Sequence, residues 1–278
     1  MKFFIVAFLL TLYFLLTFPF YPLYLIAPMK ARFILKKIVS QISTFILYVL
    51  NVEIDIFGQP PQGNHLLVCN HQSYLDVLII ASRIETLFVT SLEMKKTFFL
   101  GQVSSLAGCV FIDRRSKKNL KKEIKSMNDA LNYHNVLIFP EGTATNGEGI
   151  LPFKKPLFSS AYFSKSPVTP ICLNYESIED EKVTHKNRDV VCWYADMNFL
   201  THFFRLSQKK KIKVSLTFGD PKYIESAEDD REFARKMSEE CHKWCKNNFK
   251  PLRDGDKTSS LFNFEYFAQV SKKKKSLK

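Results

Sequence analysis

The 278-residue sequence lacks the short motifs that define several enzyme and metal-binding classes. It contains no C-x2-C pair, no G-x4-G-K-[ST] phosphate-binding loop and no G-x-S-x-G nucleophile elbow. These absences argue against a zinc site, a P-loop nucleotide site and a hydrolase built around an elbow serine. No internal repeat is evident either, and a chain of this length is long enough for one large domain or two small ones.

Cysteine is scarce, and its six positions fit a reduced compartment. Four of the cysteines lie inside apolar runs, where a free cysteine behaves as a small hydrophobic residue. The other two, Cys241 and Cys245, flank His242 in CHKWC. They share a helical apolar stripe with Phe233 and Met237, which favours core packing over metal binding. We therefore predict neither a disulfide nor a metal site.

Acidic residues are also few, since 27 Asp and Glu face 40 Lys and Arg. The resulting net charge of +13 suggests an anionic partner, either nucleic acid or an anionic membrane surface. The N-terminal segment decides between these partners. Residues 3–28 carry no charge and are long enough to cross about 30 Å of hydrocarbon as a helix. We accordingly predict membrane contact and no nucleic-acid partner.

Residues 1–50 are predicted to form the membrane anchor. A cleaved signal peptide is the alternative, but the apolar segment is too long and has no small-x-small cleavage site. Pro19 and Pro22 are expected to kink this segment or turn it back toward the interface. Residues 34–52 are predicted to form a second, amphipathic or half-immersed helix. Basic residues follow the first apolar segment in excess, which predicts that the rest of the chain lies on the cytoplasmic face.

Residues 51–250 alternate short β-rich runs with segments of helical character. The predicted strands are HLLVC, TLFVT, GCVFI, NVLIF, VTPICLNY, VVCWYA and IKVSLTF. This alternation predicts an α/β fold with a mixed, partly parallel sheet flanked by helices, preceded by the N-terminal hydrophobic membrane-anchoring helical region. Residues 251–278 form a basic C-terminal tail, for which membrane contact and disorder are both open.

The stretch NHQSYLD, residues 70–76, follows the first of these strands. Ser73 is a suitable N-cap for a helix that begins there. His71 then lies in the turn before the helix and Asp76 in its first turns, so that the carboxylate can reach back to the imidazole. Such a pair fixes the tautomer of the histidine and leaves its other nitrogen free as a general base. A purely structural histidine is the alternative.

Three further strand ends carry functional side chains or shape the sheet. GCVFIDRRS places Asp113, Arg114 and Arg115 directly after a strand, and paired guanidinium groups suit a phosphate ester. FPEGT, residues 139–143, ends another strand in a turn around one carboxylate. VTPICLNY contains Pro170, which predicts an edge strand or a bulge.

Together, the four blocks in this order resemble the lysophospholipid and glycerol-phosphate acyltransferase family, best known from 1-acylglycerol-3-phosphate acyltransferases. The resemblance covers about residues 60 to 220 and rests on H-x4-D, F-I-D-R and F-P-E-G-T. It implies transfer of a fatty acyl group from an acyl-CoA or acyl-carrier-protein thioester to a lysolipid hydroxyl, at a membrane and without metal, cofactor or covalent acyl-enzyme. Membrane lipids, the lysolipid acceptor and the thioester donor are the implied partners.

The resemblance also implies roles for individual residues. His71 would take the proton from the acceptor hydroxyl, and Asp76 would orient and stabilise His71. Arg114 would hold the acceptor's phosphate, while Glu141 and Gly142 would position its hydroxyls. Two more residues of the same motifs, Asp113 and Thr143, complete the predicted substrate-binding set.

The sequence departs from the common family pattern directly after FPEGT. Many members continue with arginine or serine, whereas this chain has Ala144. Lysophosphatidic acid, giving phosphatidic acid, is the expected acceptor, and another lysolipid such as lyso-ornithine lipid is the alternative. Lys154 or Lys155 could replace the missing charge, or both could be solvent-facing lysines.

Two other classes remain open from the residues alone. A thioesterase or lipid hydrolase could use the same histidine and aspartate with water as acceptor. A non-catalytic basic protein could simply bind anionic lipid, although that would not explain His71, Asp76 and Glu141.

Overall fold

The computed structural model describes residues 1–113, 119–223 and 227–252. Within these ranges the helices are α1 (Lys2–Thr17), α2 (Tyr21–Ile26), α3 (Pro28–Leu50), α4 (Leu75–Ala81), α5 (Leu92–Lys95), α6 (Leu100–Leu106), α7 (Leu120–Leu131), α8 (Ser159–Ser164), α9 (Phe199–Ser207) and α10 (Asp230–Asn248). The strands are β1 (Val52–Phe57), β2 (Leu66–Cys69), β3 (Thr86–Ser91), β4 (Val110–Ile112), β5 (Asn135–Ile138), β6 (Val168–Ile178), β7 (Glu181–Lys182) and β8 (Ile212–Phe218).

One sheet runs through the molecule in the order β1-β8-β6-β2-β5-β3-β4, and β7 pairs with β6. The five strands from β6 to β4 are mutually parallel. β8 is antiparallel to β6 and parallel to β1. The prediction of a mixed, partly parallel sheet is therefore confirmed. In such a sheet the loops that follow the parallel strands all open at one edge, which is where ligands bind in open α/β folds.

Helices cover both faces of the sheet, as predicted. Successive residues of β2 point to opposite faces: Leu67 and Cys69 join a core with α3 and α4, whereas Leu66 and Val68 join one with α7, α8 and α10. All four residues are fully buried, which explains why HLLVC is continuously apolar rather than alternating. The stripe in α10 is also confirmed as core, because its two cysteines are buried there.

The N-terminal region consists of two apolar segments, Lys2–Ile26 and Pro28–Leu50, each long enough to cross a membrane by length and composition. Pro19 lies in the first turn of a short 3-10 helix, Phe18–Phe20, and Pro22 lies in the first turn of α2. Proline is tolerated at both positions because the first amides of a helix donate no hydrogen bond within it. Ile46 and Leu47 of α3 belong to the same core as the sheet. The division at residue 50 and the tail beyond residue 250 stay predictions, and most of that tail lies outside the described residues.

Two strand predictions are wrong. VVCWYA does not form a strand, because residues 188–190 form a short 3-10 helix and turns follow it. VTPICLNY does lie in β6, but β6 is a central strand rather than an edge strand, and its bulge lies between Tyr175 and Ser177 rather than at Pro170. Pro170 is accommodated because it lies level with the end of β8, where its carbonyl accepts a hydrogen bond from the Gly219 amide at 2.9 Å. No amide donor is needed at that position, since the β8 ladder begins at the next residue of β6.

Candidate active site

The candidate site lies at the carboxyl ends of β2 and β5, two adjacent parallel strands. The chain leaves β2 through Asn70 and His71, and it leaves β5 through Phe139 and Glu141. Asn70 fixes the first exit, since its amide side chain pairs with both backbone groups of Leu173 on β6, each at 2.9 Å. The neighbouring strands thereby bring two motifs about 70 positions apart into direct contact.

His71 and Asp76 form a hydrogen-bonded pair. Nδ1 of His71 lies 2.9 Å from Oδ2 of Asp76. The same oxygen accepts hydrogen bonds from the amides of Gln72 at 2.7 Å and Ser73 at 2.9 Å, so the carboxylate closes the turn that precedes α4. The predicted N-cap is therefore wrong: α4 begins after Tyr74, and the acceptor for the preceding amides is Asp76 rather than the Ser73 hydroxyl.

The pairing determines which nitrogen of His71 can react. Since Asp76 is an acceptor, Nδ1 carries the proton and Nε2 has the lone pair. The imidazole stacks on the Phe139 ring, with centroids 4.0 Å apart and planes 16° apart. Its side chain is 20 % exposed while that of Asp76 is fully buried. An oriented imidazole with one open edge and a buried carboxylate behind it can serve as a general base.

Tyr175 is a residue of the candidate site that the sequence did not reveal. Its hydroxyl donates to Oδ1 of Asp76 at 2.6 Å, and the ring is buried. Cys69, the last residue of β2, is level with Ile171 on β6. β6 therefore runs about 13 Å past the end of β2 before reaching Tyr175, alongside the loop that carries His71. Tyrosine at the end of an apolar strand gave no signal for this role.

Glu141 braces the backbone of His71. Its Oε1 accepts the His71 amide at 2.8 Å and its Oε2 accepts the Leu151 amide at 2.7 Å. The residue is only 2 % exposed. Burial, helped by the charge of Asp76, raises the pKa of Glu141 to about 8 against the opposing effect of the two amide donors and of Lys154. The predicted contact with acceptor hydroxyls stays a prediction, and the bracing role is additional to it.

Gly142 and Thr143 complete the turn after β5. Gly142 has φ of +78°, in the region that favours glycine, and its amide donates to the Phe139 carbonyl at 3.1 Å. A Cβ added there would lie 2.1 Å from the Lys154 Nζ. The Thr143 hydroxyl donates to the Ala144 carbonyl at 3.4 Å. Both residues adjoin Glu141 in this turn, and their predicted contact with the substrate stays a prediction.

Asp113 lies farther away in the sheet. It follows β4, which is separated from β5 by β3, so the two strand ends are roughly 10 Å apart. Its amide donates to Glu123 of α7, and Asn119 Nδ2 donates to its carboxylate at 3.4 Å. Arg114 and Arg115 lie outside the described residues, so their predicted contact with a phosphate stays a prediction.

Tyr74, inside the HQSYLD motif, has a structural role. Its hydroxyl hydrogen bonds to Nδ1 of His202 at 2.9 Å, and His202 Nε2 lies 3.1 Å from the Cys192 carbonyl. Burial lowers the pKa of His202, which favours a neutral ring that donates from Nε2 to the Cys192 carbonyl and accepts at Nδ1 from the Tyr74 hydroxyl. His202 is thus a core residue. Among the described residues, no cluster of three or more His, Cys, Asp or Glu could hold a metal ion.

Comparisons with known proteins agree with this geometry. Residues 53–174 match the family model named Acyltransferase. A 1-acyl-sn-glycerol-3-phosphate acyltransferase of Neisseria meningitidis serogroup B is 26% identical over 185 residues, which cover 66% of this chain and 70% of that protein. A lyso-ornithine lipid O-acyltransferase of Rhodobacter capsulatus is 30% identical over 179 residues, which cover 62% of this chain and 63% of that protein.

A solved structure has the same fold. The crystal structure of a 1-acyl-sn-glycerophosphate acyltransferase from Thermotoga maritima superposes with a TM-score of 0.53 and 20% identity, over 90% of this chain and 100% of that one. At this identity the likeness concerns the fold alone. The family match concerns residues 53–174, which form a domain of the acyltransferase family.

Proposed function

We propose that the protein is a membrane-bound O-acyltransferase that moves a fatty acyl group from an acyl-CoA or acyl-carrier-protein thioester to a lysolipid hydroxyl. The observation that carries the proposal is the His71–Asp76 pair, 2.9 Å apart, with the outer edge of the imidazole open at the carboxyl edge of the sheet. No metal or cofactor takes part in the proposed reaction.

In the proposed reaction the acceptor oxygen attacks the carbonyl carbon of the thioester. Nε2 of His71 takes the hydroxyl proton as the new C–O bond forms, and Asp76 stabilises the imidazolium. The C–S bond then breaks, and the thiolate leaves with the proton that His71 returns. General-base catalysis of this kind contributes about 10²–10⁴ in rate. A thioester is already activated, so this contribution and the alignment of the two lipids are sufficient.

Exposed apolar side chains support the membrane location. They occur along the N-terminal helices and on α9, and the largest include Phe4, Phe8, Leu15, Phe18, Leu25, Ile26, Tyr48, Leu200 and Phe204. Such a surface is unusual for a soluble monomer and suits contact with lipid. The excess of basic residues after the first apolar segment supports a cytoplasmic catalytic domain. A reporter fused to the C-terminus would test that orientation.

The proposed acceptor is 1-acylglycerol-3-phosphate, which would give phosphatidic acid. Another lysolipid, such as lyso-ornithine lipid, is the second candidate. It is favoured by Ala144, which is apolar and only 8 % exposed and so gives no contact to a phosphate. A relative named for the first activity and a relative named for the second match this chain to a similar extent.

The decisive experiment follows thiol release from acyl-CoA and acyl-carrier protein by detergent-solubilised protein. A panel of lysolipids is compared with an acceptor-free control, and wild type is compared with His71→Ala. Acceptor-dependent release that disappears in His71→Ala is expected. Equal release without any acceptor would identify a hydrolase instead. No release from either protein with any donor would favour a lipid-binding role.

A further inference from the structure

A groove lies between α7, α8 and α10, outside the candidate site, and has a volume of about 870 Å³. It follows α7 from Leu120 to Asn128, a length of about 12 Å. Ile124 of α7, Ala234 of α10 and Phe163 of α8 contribute apolar surface to it, and Phe163 is 54% exposed. The groove therefore presents apolar surface that the described part of the chain leaves uncovered.

The rim of this groove is basic. It carries four basic side chains, those of Lys121, Lys125, Lys155 and Arg231, and one acidic side chain, that of Asp230. Lys155 Nζ lies 3.4 Å from Glu239 Oε1 on α10. The other three basic side chains form no ion pair with any residue that the structure describes. An apolar floor between unpaired cations on two helices complements an amphipathic helix that has acidic flanks.

One end of the groove adjoins the candidate site. Pro156 lines this end, two residues after Lys154, whose amide donates to the Pro140 carbonyl at 3.0 Å. Glu141 follows Pro140 in the turn after β5 and accepts the His71 amide at 2.8 Å. A helix in the groove would therefore bring a flexible arm attached at this end to the edge of the sheet where His71 is open.

We propose that this groove docks an acidic helix of an acyl-carrier protein that delivers the acyl group. The proposal rests on the proposed acyl-transfer function and adds a protein-docking surface to it. Coenzyme A and a carrier protein hold the acyl group on the same kind of flexible arm, but the carrier protein also presents a helical surface. Charges on the rim of a docking surface attract such a partner, and salt weakens this attraction by screening.

The first test measures binding, so that it does not depend on catalysis. The acyl-carrier protein encoded by the same genome is loaded with palmitate and titrated into the full-length protein in neutral detergent. Lys121→Glu and Lys125→Glu should each raise Kd by about tenfold, because an attraction is replaced by a repulsion. Lys122→Glu is the matched control, since Lys122 is exposed on the same helix but does not line the groove. It changes the net charge equally and should bind like wild type.

These variants should fold, since all three positions are exposed and glutamate is a good helix former. Thermal unfolding of each protein checks this. The Kd of wild type should also rise with ionic strength, and it should rise less steeply in Lys121→Glu and Lys125→Glu. Equal Kd values for wild type and all three variants would overturn the proposal, as would failure of wild type to bind the carrier protein.

The second test separates the carrier protein from the phosphates of coenzyme A. Lys121→Glu and Lys125→Glu should raise KM for palmitoyl-carrier protein by about tenfold and leave KM for palmitoyl-CoA unchanged. An equal rise for both donors would overturn the proposal, because the groove would then not distinguish a protein partner from coenzyme A. Transfer from palmitoyl-CoA alone would leave the proposed function standing without this inference. Binding as expected, with no transfer from either donor, would refute the proposed function and leave the docking groove.

Discussion

Replacing Asp76 by asparagine isolates the charge behind His71 from the shape of the site. The carboxylate is buried and accepts hydrogen bonds from His71 Nδ1, the Gln72 amide, the Ser73 amide and the Tyr175 hydroxyl. Asparagine has the same shape. Its carbonyl oxygen can take the place of Oδ2 and keep three of these donors, while its NH₂ group can donate to the Tyr175 hydroxyl once that hydroxyl rotates. The variant should therefore fold.

The expected loss of activity follows from the missing charge. The imidazolium that forms during proton transfer would lie about 4 Å from the carboxylate, and two unit charges at that distance interact by roughly 4 kcal/mol at an effective dielectric constant of 20. Each 1.36 kcal/mol corresponds to a factor of ten in rate, so this corresponds to about a thousandfold. We expect kcat of Asp76→Asn to fall by about 10²–10⁴, within the usual range for loss of general-base catalysis.

The assay compares Asp76→Asn, His71→Ala and the double variant by acceptor-dependent thiol release. Because the two residues act as one unit, the double variant should be about as slow as His71→Ala alone. Thermal unfolding should show a cooperative transition for each protein. The reasoning would be refuted if a folded Asp76→Asn retained kcat within about tenfold of wild type, or if the two losses were additive.

Three further predictions concern the residues around this pair. Tyr175→Phe removes a hydrogen bond to a buried carboxylate and should lower the free energy of unfolding by about 1.5–3 kcal/mol, with KM unchanged. Denaturant unfolding and steady-state kinetics measure these two quantities. An unaltered free energy of unfolding would contradict the prediction. The pKa of Glu141 is about 8 in the folded protein, above its value in the unfolded chain. Between these two values Glu141 is protonated in the folded protein and ionised in the unfolded chain. The free energy of unfolding should therefore fall as pH rises from about 4 to 8. Unfolding curves across that range should show this slope, and Glu141→Gln should lack it. Gly142→Ala should cost about 1–2 kcal/mol because of the left-handed φ, and a variant with wild-type stability would argue against the geometry described for this turn.

The sheet and the position of the site could be predicted because they depend on local patterns. HLLVC and NVLIF are short apolar runs that end abruptly in polar residues, and parallel strands bring such ends to one edge. The spacing of His71 and Asp76 also sufficed, since a turn followed by a helix lets the carboxylate reach the ring. In each case the interacting groups are close in sequence or lie at equivalent ends of adjacent strands.

The remaining contacts depend on strand order and register, which the sequence does not specify. Tyr175 reaches Asp76 only because β6 is the neighbour of β2 and continues past its end. VVCWYA has the composition of a strand, yet it forms turns whose Trp193 amide donates to the Gln72 carbonyl at 2.8 Å. Tertiary contacts thus override the local β preference there. Pro170 is tolerated in a central strand because its pairing with β8 begins only at the next residue, so that no amide donor is needed there.

The two buried carboxylates differ in how many donors they accept, and this difference affects His71. Asp76 accepts four hydrogen bonds, including one from the imidazole, which compensates a full negative charge. Glu141 accepts two backbone amides, and burial together with the charge of Asp76 favours its protonated form near neutral pH. A second full negative charge beside the His71 backbone would also stabilise the imidazolium that forms during catalysis. Burial of Glu141 therefore lets it brace His71 while the stabilisation of the imidazolium is left to Asp76.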